Sequence, residues 1–167
     1  GQIVWIGRGS LGPRDGKVAL YARHQVTRLA LDPAGDAPSE PLHDAIRRCL
    51  EDRGASFFAD IYAAVGGGDP NEVLDALWDL VWAGEVTNDT FAPVRAFTAR
   101  RRGGGRPRHL PSSFPPHASG RWSLVSALFH DAPTDTERAS AWADQLLTEI
   151  ARDEPIPAPP TPRLRMP

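Results

Sequence analysis

Arg100, Arg101, Arg102, Arg106 and Arg108 put five arginines into nine residues, interleaved with glycine. Guanidinium groups at that density can follow a run of phosphates on a nucleic-acid backbone. Arg121 and Trp122 follow closely, a cation beside an aromatic surface on which a base could stack. Each group also has a plainer reading: a solvated basic linker for the arginines, and an anchor against a neighbouring module for Trp122. Asp15 and Asp89 are two acids beside other turn-forming residues, Gly16 and Asn88. Both stand in turn-like surroundings, where aspartate is common because it bonds the local backbone.

Other chemistries lack their parts. A phosphate-cradling Walker loop needs G-x-x-x-x-G-K-[ST], with lysine for the β- and γ-phosphates and a hydroxyl for Mg²⁺. The nearest glycine run, Gly103-Gly104-Gly105-Arg106-Pro107, has neither. His24, His43, His109, His117 and His130 are scattered, and Cys49 is the lone cysteine, so no zinc-ligand spacing and no intrachain disulfide exist. No catalytic residue, cofactor or metal is therefore expected of this chain.

Charge is segregated along the 167 residues, although the net value is only −2. Residues 39–97 carry eleven acidic and four basic side chains, whereas residues 98–122 carry six arginines and no acid. The candidate compact domain is acidic and a cationic segment follows it, which decides where phosphate could be held. The 17 prolines and 15 glycines mark linkers, and Lys17 is the sole lysine. No stretch reaches the roughly 20 apolar residues of a membrane span. A soluble, cytoplasmic protein is expected.

The elements that position these residues can be read from pattern. Ile3 to Ile6 and Lys17 to Tyr21 are two strand-like runs joined by turn residues ending in Asp15-Gly16, which predicts a β-hairpin over residues 2–23. Ser39 with Pro41 opens a helix carrying Leu42, Ile46, Cys49 and Leu50. Ser56 is placed to cap a second, with Phe57, Phe58, Ile61 and Val65 as its core face. Asp69-Pro70-Asn71-Glu72 starts a third, with Val73, Leu74, Leu77, Trp78, Val81 and Trp82 inward and Gly84 as its stop. Glu85-Val86-Thr87, a turn at Asn88-Asp89 and Thr90-Phe91-Ala92 suggest a small closing hairpin. Residues 120–125 suggest a short strand, and Thr136 to Ile150 a last helix. Trp5, Trp78 and Trp82 read as core.

The expected architecture is α+β: a winged helix-turn-helix with an N-terminal β-hairpin and a C-terminal helix. Its expected boundaries are 1–31 for the hairpin, taken as the remnant of a preceding repeat, and 39–97 for the winged helix. Residues 98–120 form the Arg/Gly/Pro-rich linker, 121–151 a strand and helix opening a further module, and 152–167 a disordered tail. In a winged helix the third helix would enter the major groove. Here its outward positions are Asn71, Glu72, Asp75 and Asp79, which phosphate would repel.

Four pieces carry a family resemblance: VWIGRGSLGPRDGKVALY, GASFF, ALWDLVWAGEVTNDTFAPVRA and SGRWSLV, in that order. Together they resemble the C-terminal region of the long Lhr-type (large helicase-related) superfamily-2 DNA helicases. The resemblance implies a parent with an ATP- and Mg²⁺-driven motor moving 3′ to 5′ on single-stranded DNA, linked to repair. That motor is absent here, so the chain reads as a fragment. The leading expectation is a non-catalytic module that associates with DNA, single-stranded by preference. Its contacts would run through Arg100, Arg101, Arg102, Arg106, Arg108, Arg121 and Trp122. Its further partners would be the helicase core, sister winged-helix modules or a second copy, and not a membrane. The alternative is a protein-interaction scaffold without DNA binding. Third is a glycosylase-type role that the resemblance implies, for which Asp89 or Asp15 could be nominated, although the turn reading outweighs the catalytic one.

Overall fold

Asp69 and Pro70 start the helix around which the rest is built. A computed structural model describes residues 2–12, 15–30, 37–99, 114–129 and 133–153. In chain order the strands and helices are β1 (Ile3–Gly12), β2 (Asp15–Ala22), α1 (Val26–Leu29), α2 (Pro41–Arg53), β3 (Ser56–Phe57), α3 (Phe58–Ala64), α4 (Pro70–Trp82), β4 (Val86–Asn88), α5 (Ala92–Ala99), β5 (Arg121–Leu124) and α6 (Asp135–Asp153). The Asp69 carboxylate accepts the Asn71 N–H at 2.8 Å, and Pro70 takes a position where no N–H is required. Gly84, at φ +83°, ends α4, and the Glu85 N–H returns to the Leu80 carbonyl at 2.9 Å.

Eight residues of α4, from Val73 to Trp82, are buried. That is more than one stripe, so neighbours cover the helix on several sides. Ile46, Cys49 and Leu50 of α2 and Phe58 and Ile61 of α3 pack on it. Arg47 fixes α2 to the loop behind α4 through two bonds to the Glu85 carboxylate, at 2.6 and 2.9 Å. It also holds Asp44 and the Pro38 carbonyl. Arg47 is thus a structural cation. The first turns of α2 and α3 differ from expectation. Neither Ser39 nor Ser56 caps a helix: the residues in those positions, Glu40 and Phe57, make no side-chain cap bond. Ser56 lies in β3 instead, its hydroxyl donating to the Gly54 carbonyl.

The N-terminal hairpin is part of this core. Period-two alternation sends Trp5 to one side, into the cluster around α4, and Val4 and Ile6 to the other, against Val26, Ala30 and Val125. The Trp5 indole donates to the Thr90 carbonyl at 2.9 Å, and the Thr87 hydroxyl donates to the Trp5 carbonyl. Gly7 lies so close to α4 that a Cβ there would fall 1.9 Å from the Val81 carbonyl oxygen. A lone hairpin is marginal in water; this one is held by burial and by close backbone approach.

The closing sheet departs from the sequence reading. β4 does not pair with residues 90–92. It pairs antiparallel with β5, as Val86 with Leu124, Thr87 with Ser123 and Asn88 with Trp122. β5 also pairs with β3, so the sheet order is β3-β5-β4. Helix, strand, two helices and two strands, with the first strand beside the last, are consistent with a winged-helix arrangement. Residues 90–92 instead lead into α5. Phe97 of that helix stacks on Trp78 at 4.4 Å, and α5 packs on the 3-10 turn Pro116–Ala118.

Two boundary expectations change accordingly. Residues 121–124 complete the sheet of the 39–97 region rather than opening a module with the last helix. The compact unit runs from the N terminus to Ala132, hairpin included, and a second unit starts at Pro133. In that second unit Thr134 and Glu137 form a reciprocal capping box at the start of α6. Leu146, Leu147 and Ile150 of α6 are exposed. The tail expected at 152–167 falls outside the described residues from 154 onward.

Candidate nucleic-acid interface

The chain leaves the sheet at Asn88 and returns at Arg121, and a set of bonds draws these two points together. The Asp89 N–H donates to the Arg121 carbonyl at 3.0 Å. In return the Asp89 carboxylate accepts the Arg121 N–H and its Nε–H, both at 2.9 Å. The Asn88 amide donates to the Ser119 carbonyl, while its oxygen accepts from the Thr90 N–H and hydroxyl. Gly120, at φ +79°, lets the chain pass: a Cβ there would fall 2.2 Å from the Asn88 amide oxygen. Residues 89–120 therefore form one closed excursion between two neighbouring strands.

Burial tends to raise the Asp89 carboxyl, but the Arg121 N–H and guanidinium outweigh it and hold the acid below the usual range. A depressed folded-state pKa contributes stability above the unfolded value of about 3.9, lost as pH falls through the folded value. The gap in unfolding free energy between the parent chain and Asp89→Asn should be constant from about pH 8 to 5 and shrink below about pH 4. Urea melts across that range read it directly. Both side chains are substantially exposed, at 53% for Arg121 and 40% for Asp89, so the gap should be small.

The expected contact residues divide into three groups. Arg100, Arg101, Arg102, Arg106 and Arg108 lie outside the described residues. The flanks of their stretch are in place. α5 leads into it, and Phe114 behind it packs edge-on against Phe58 and Tyr62 at 5.0 and 5.5 Å. The stretch therefore joins two parts of one core and does not link separate domains. Arg121 is on the surface, paired to Asp89. Trp122 is fully buried, edge-on to Trp78 at 5.7 Å, and its indole donates to the Ala118 carbonyl. It presents no face on which a base could stack, because alternation along β5 turns residue 121 out and residue 122 in.

Sequence reasoning placed Phe57 in a helical core face. It lies in β3, opposite Arg121, and is 56% exposed. Opposite residues of an antiparallel pair share a face of the sheet. Phe57, Arg121 and Asp89 thus form a row across the outer face. Beside it lies an apolar groove of about 320 Å³, bounded by Phe57, Phe58, Phe114, Pro115, Pro116 and Gly120 among others. The only signal for this was the strand alternation of β5, which becomes informative once its partner is known.

The exposed residues of α4 include Asn71, Glu72, Asp75 and Asp79. The helix that would enter a major groove presents acids or a neutral amide there, and Asp79 sits 3.4 Å from His43 of α2. Asp15 bonds the Gly16 N–H, a local turn contact. Among the described residues, no group of three or more His, Cys, Asp or Glu side chains could hold a metal ion. Nor is any helix among them long and apolar enough to cross a membrane.

No protein-family model matches the chain. Two curated proteins do. Over 165 residues the chain is 36% identical to the "Lhr helicase/ probable uracil glycosylase" of Mycolicibacterium smegmatis, covering 88% of this chain and 11% of that protein. This chain is similar to one stretch of the Lhr helicases. The "Lhr helicase/uracil glycosylase" of Escherichia coli is 33% identical over 174 residues, with the same coverage of each. The chain thus spans about a tenth of the length of these Lhr relatives, and the match takes in most of the chain rather than one motif.

Proposed function

We propose that the chain is a non-catalytic, DNA-associating winged-helix module of an Lhr-type helicase acting in cytoplasmic DNA repair. It would hold single-stranded DNA chiefly through Arg100, Arg101, Arg102, Arg106 and Arg108. One observation carries this reading: the five arginines fall in the chain between α5 and Phe114, both of which pack on the core of a domain whose residues 39–97 are strongly acidic. The acids exposed on α4 would repel phosphate from the usual reading helix, which leaves this stretch as the densest run of positive charge in the chain. ATP and Mg²⁺ would act in the motor of the parent protein, with the motor and sister modules as further partners.

Single-stranded oligonucleotides should bind with a marked salt dependence. Changing Arg100, Arg101 and Arg102 together to alanine should lower the slope of log affinity against log salt by about 2 units, at roughly 0.7 per phosphate contact. Fluorescence anisotropy from about 50 to 200 mM salt measures it, and no detectable binding at the low end would sink the proposal.

A second reading, a protein-contact module without DNA binding, is favoured by the exposed Leu146, Leu147 and Ile150 of α6. It requires self-association, or capture of the helicase core, that survives the arginine changes in light scattering. A glycosylase role is suggested by the names of both relatives. It requires excision from a uracil-containing strand that is lost on changing Asp89 or Asp15. Asp89 is already committed to Arg121, which makes DNA association the better-supported reading.

A further inference from the structure

We infer that Phe57 and the groove beside it form a stacking site for one unpaired nucleobase, with Arg121 on the same sheet face toward the adjoining phosphate. This rests on the reading above that the chain holds single-stranded DNA, and adds to it a contact with the base instead of the backbone. The argument begins with the exposure of Phe57. A phenyl ring more than half open to water, fixed in a two-residue strand, contributes little to the core that α4 organises. Its neighbours on the groove side are Phe58, Phe114, Pro115 and Pro116, all flat or apolar, and no charged side chain lines the groove. Such a lining suits a π-face and gives a phosphate no charged partner. At about 320 Å³ it stands at the small end of ligand sites, about 300 to 1,000 Å³, and suits a single planar ring more than a folded peptide.

Charge complementarity selects the occupant. On the Phe57 face, directly across the strand pair, is Arg121, whose Nε is oriented by Asp89. A base stacked on Phe57 would bring its own backbone phosphate toward that guanidinium. An aromatic platform beside an oriented cation is the arrangement by which single strands are held without sequence preference. Duplex DNA keeps its bases inside the stack and offers no such ring. The expected ligand is therefore single-stranded, whichever base it carries.

The test compares an oligothymidylate with an abasic phosphodeoxyribose strand of equal length, each bound to the full chain and to variants. Phe57→Ala should weaken oligothymidylate binding about five- to a hundred-fold, the effect of one lost base stack. It should leave the salt slope and the abasic-strand affinity unchanged. Phe57→Trp should restore or exceed the parent affinity. Equal affinity of the parent and Phe57→Ala for oligothymidylate, with the arginine variant still flattening the slope, would overturn the stacking site and leave the proposed function standing. An equal loss on both strands would also overturn it, by showing a structural role. If the parent chain binds neither strand, both proposals fall together.

Discussion

Trp122→Ala should cost the compact unit about 3–5 kcal/mol, the range for truncating a large buried aromatic. That is a major part of the roughly 5–15 kcal/mol a domain of this kind has in hand. The indole is fully buried, and its contact with Trp78 ties it to an aromatic group that also includes Trp5, Trp82 and Phe97. Removing it leaves a cavity in that group and leaves the Ala118 carbonyl without its indole donor. Trp122→Phe should fill most of the cavity but still lose the bond, which costs about 1–3 kcal/mol when a buried acceptor is left unpaired. Urea denaturation followed by tryptophan fluorescence ranks the three proteins. If Trp122 were a loose anchor beyond a complete domain, the alanine variant would match the parent.

A peptide spanning only residues 39–97 should not fold. It holds α2, α3 and α4, and by sequence pattern it is the whole winged helix. It lacks β5, so β3 and β4 lose the strand that joins them. It also lacks Trp5 and Trp122, two of the rings packed on Trp78. The exposed faces of Trp78, Leu77 and Val81 would favour aggregation over a native state. Circular dichroism should show a broad, uncooperative melt, whereas residues 1–132 should melt in one sharp transition. A sharp transition for the short peptide would show that the hairpin and the returning strand are accessories.

The parts of this fold visible in the sequence are those fixed by neighbours in the chain. Asp69-Pro70 and Gly84 bracket α4, and Asp15-Gly16 with two strand-like runs gives the hairpin; both follow from local chemistry. The partner of β4 does not. Thr90-Phe91-Ala92 follows a turn-like pair and has strand-like residues, so it imitates a hairpin's second arm. The true partner is β5, which begins 33 positions beyond Asn88, at Arg121, and no local pattern reports a pairing at that distance. α5 begins at Ala92, with Pro93 in its first turn, where proline is tolerated. The candidate site suffered the same error. With the partners of the 120–125 strand unassigned, Trp122 is offered as a stacking surface and Phe57 as core, and pairing the strands reverses both.

The neck formed by Asp89 and Arg121 has a consequence for how the chain could vary. Its two ends are bonded to each other, so the 31 residues between them close a ring whose entropy changes slowly with length. Doubling such a loop costs only about 0.6 kcal/mol. α5 and residues 114–120 of that excursion pack on the core, so only insertions, deletions or a new charge pattern that spare them would leave the strands on either side in register. Relatives could therefore exchange the part between α5 and Phe114 like a cassette, retuning affinity for an anionic polymer while the rings of Phe97 and Phe114 keep their places in the aromatic core.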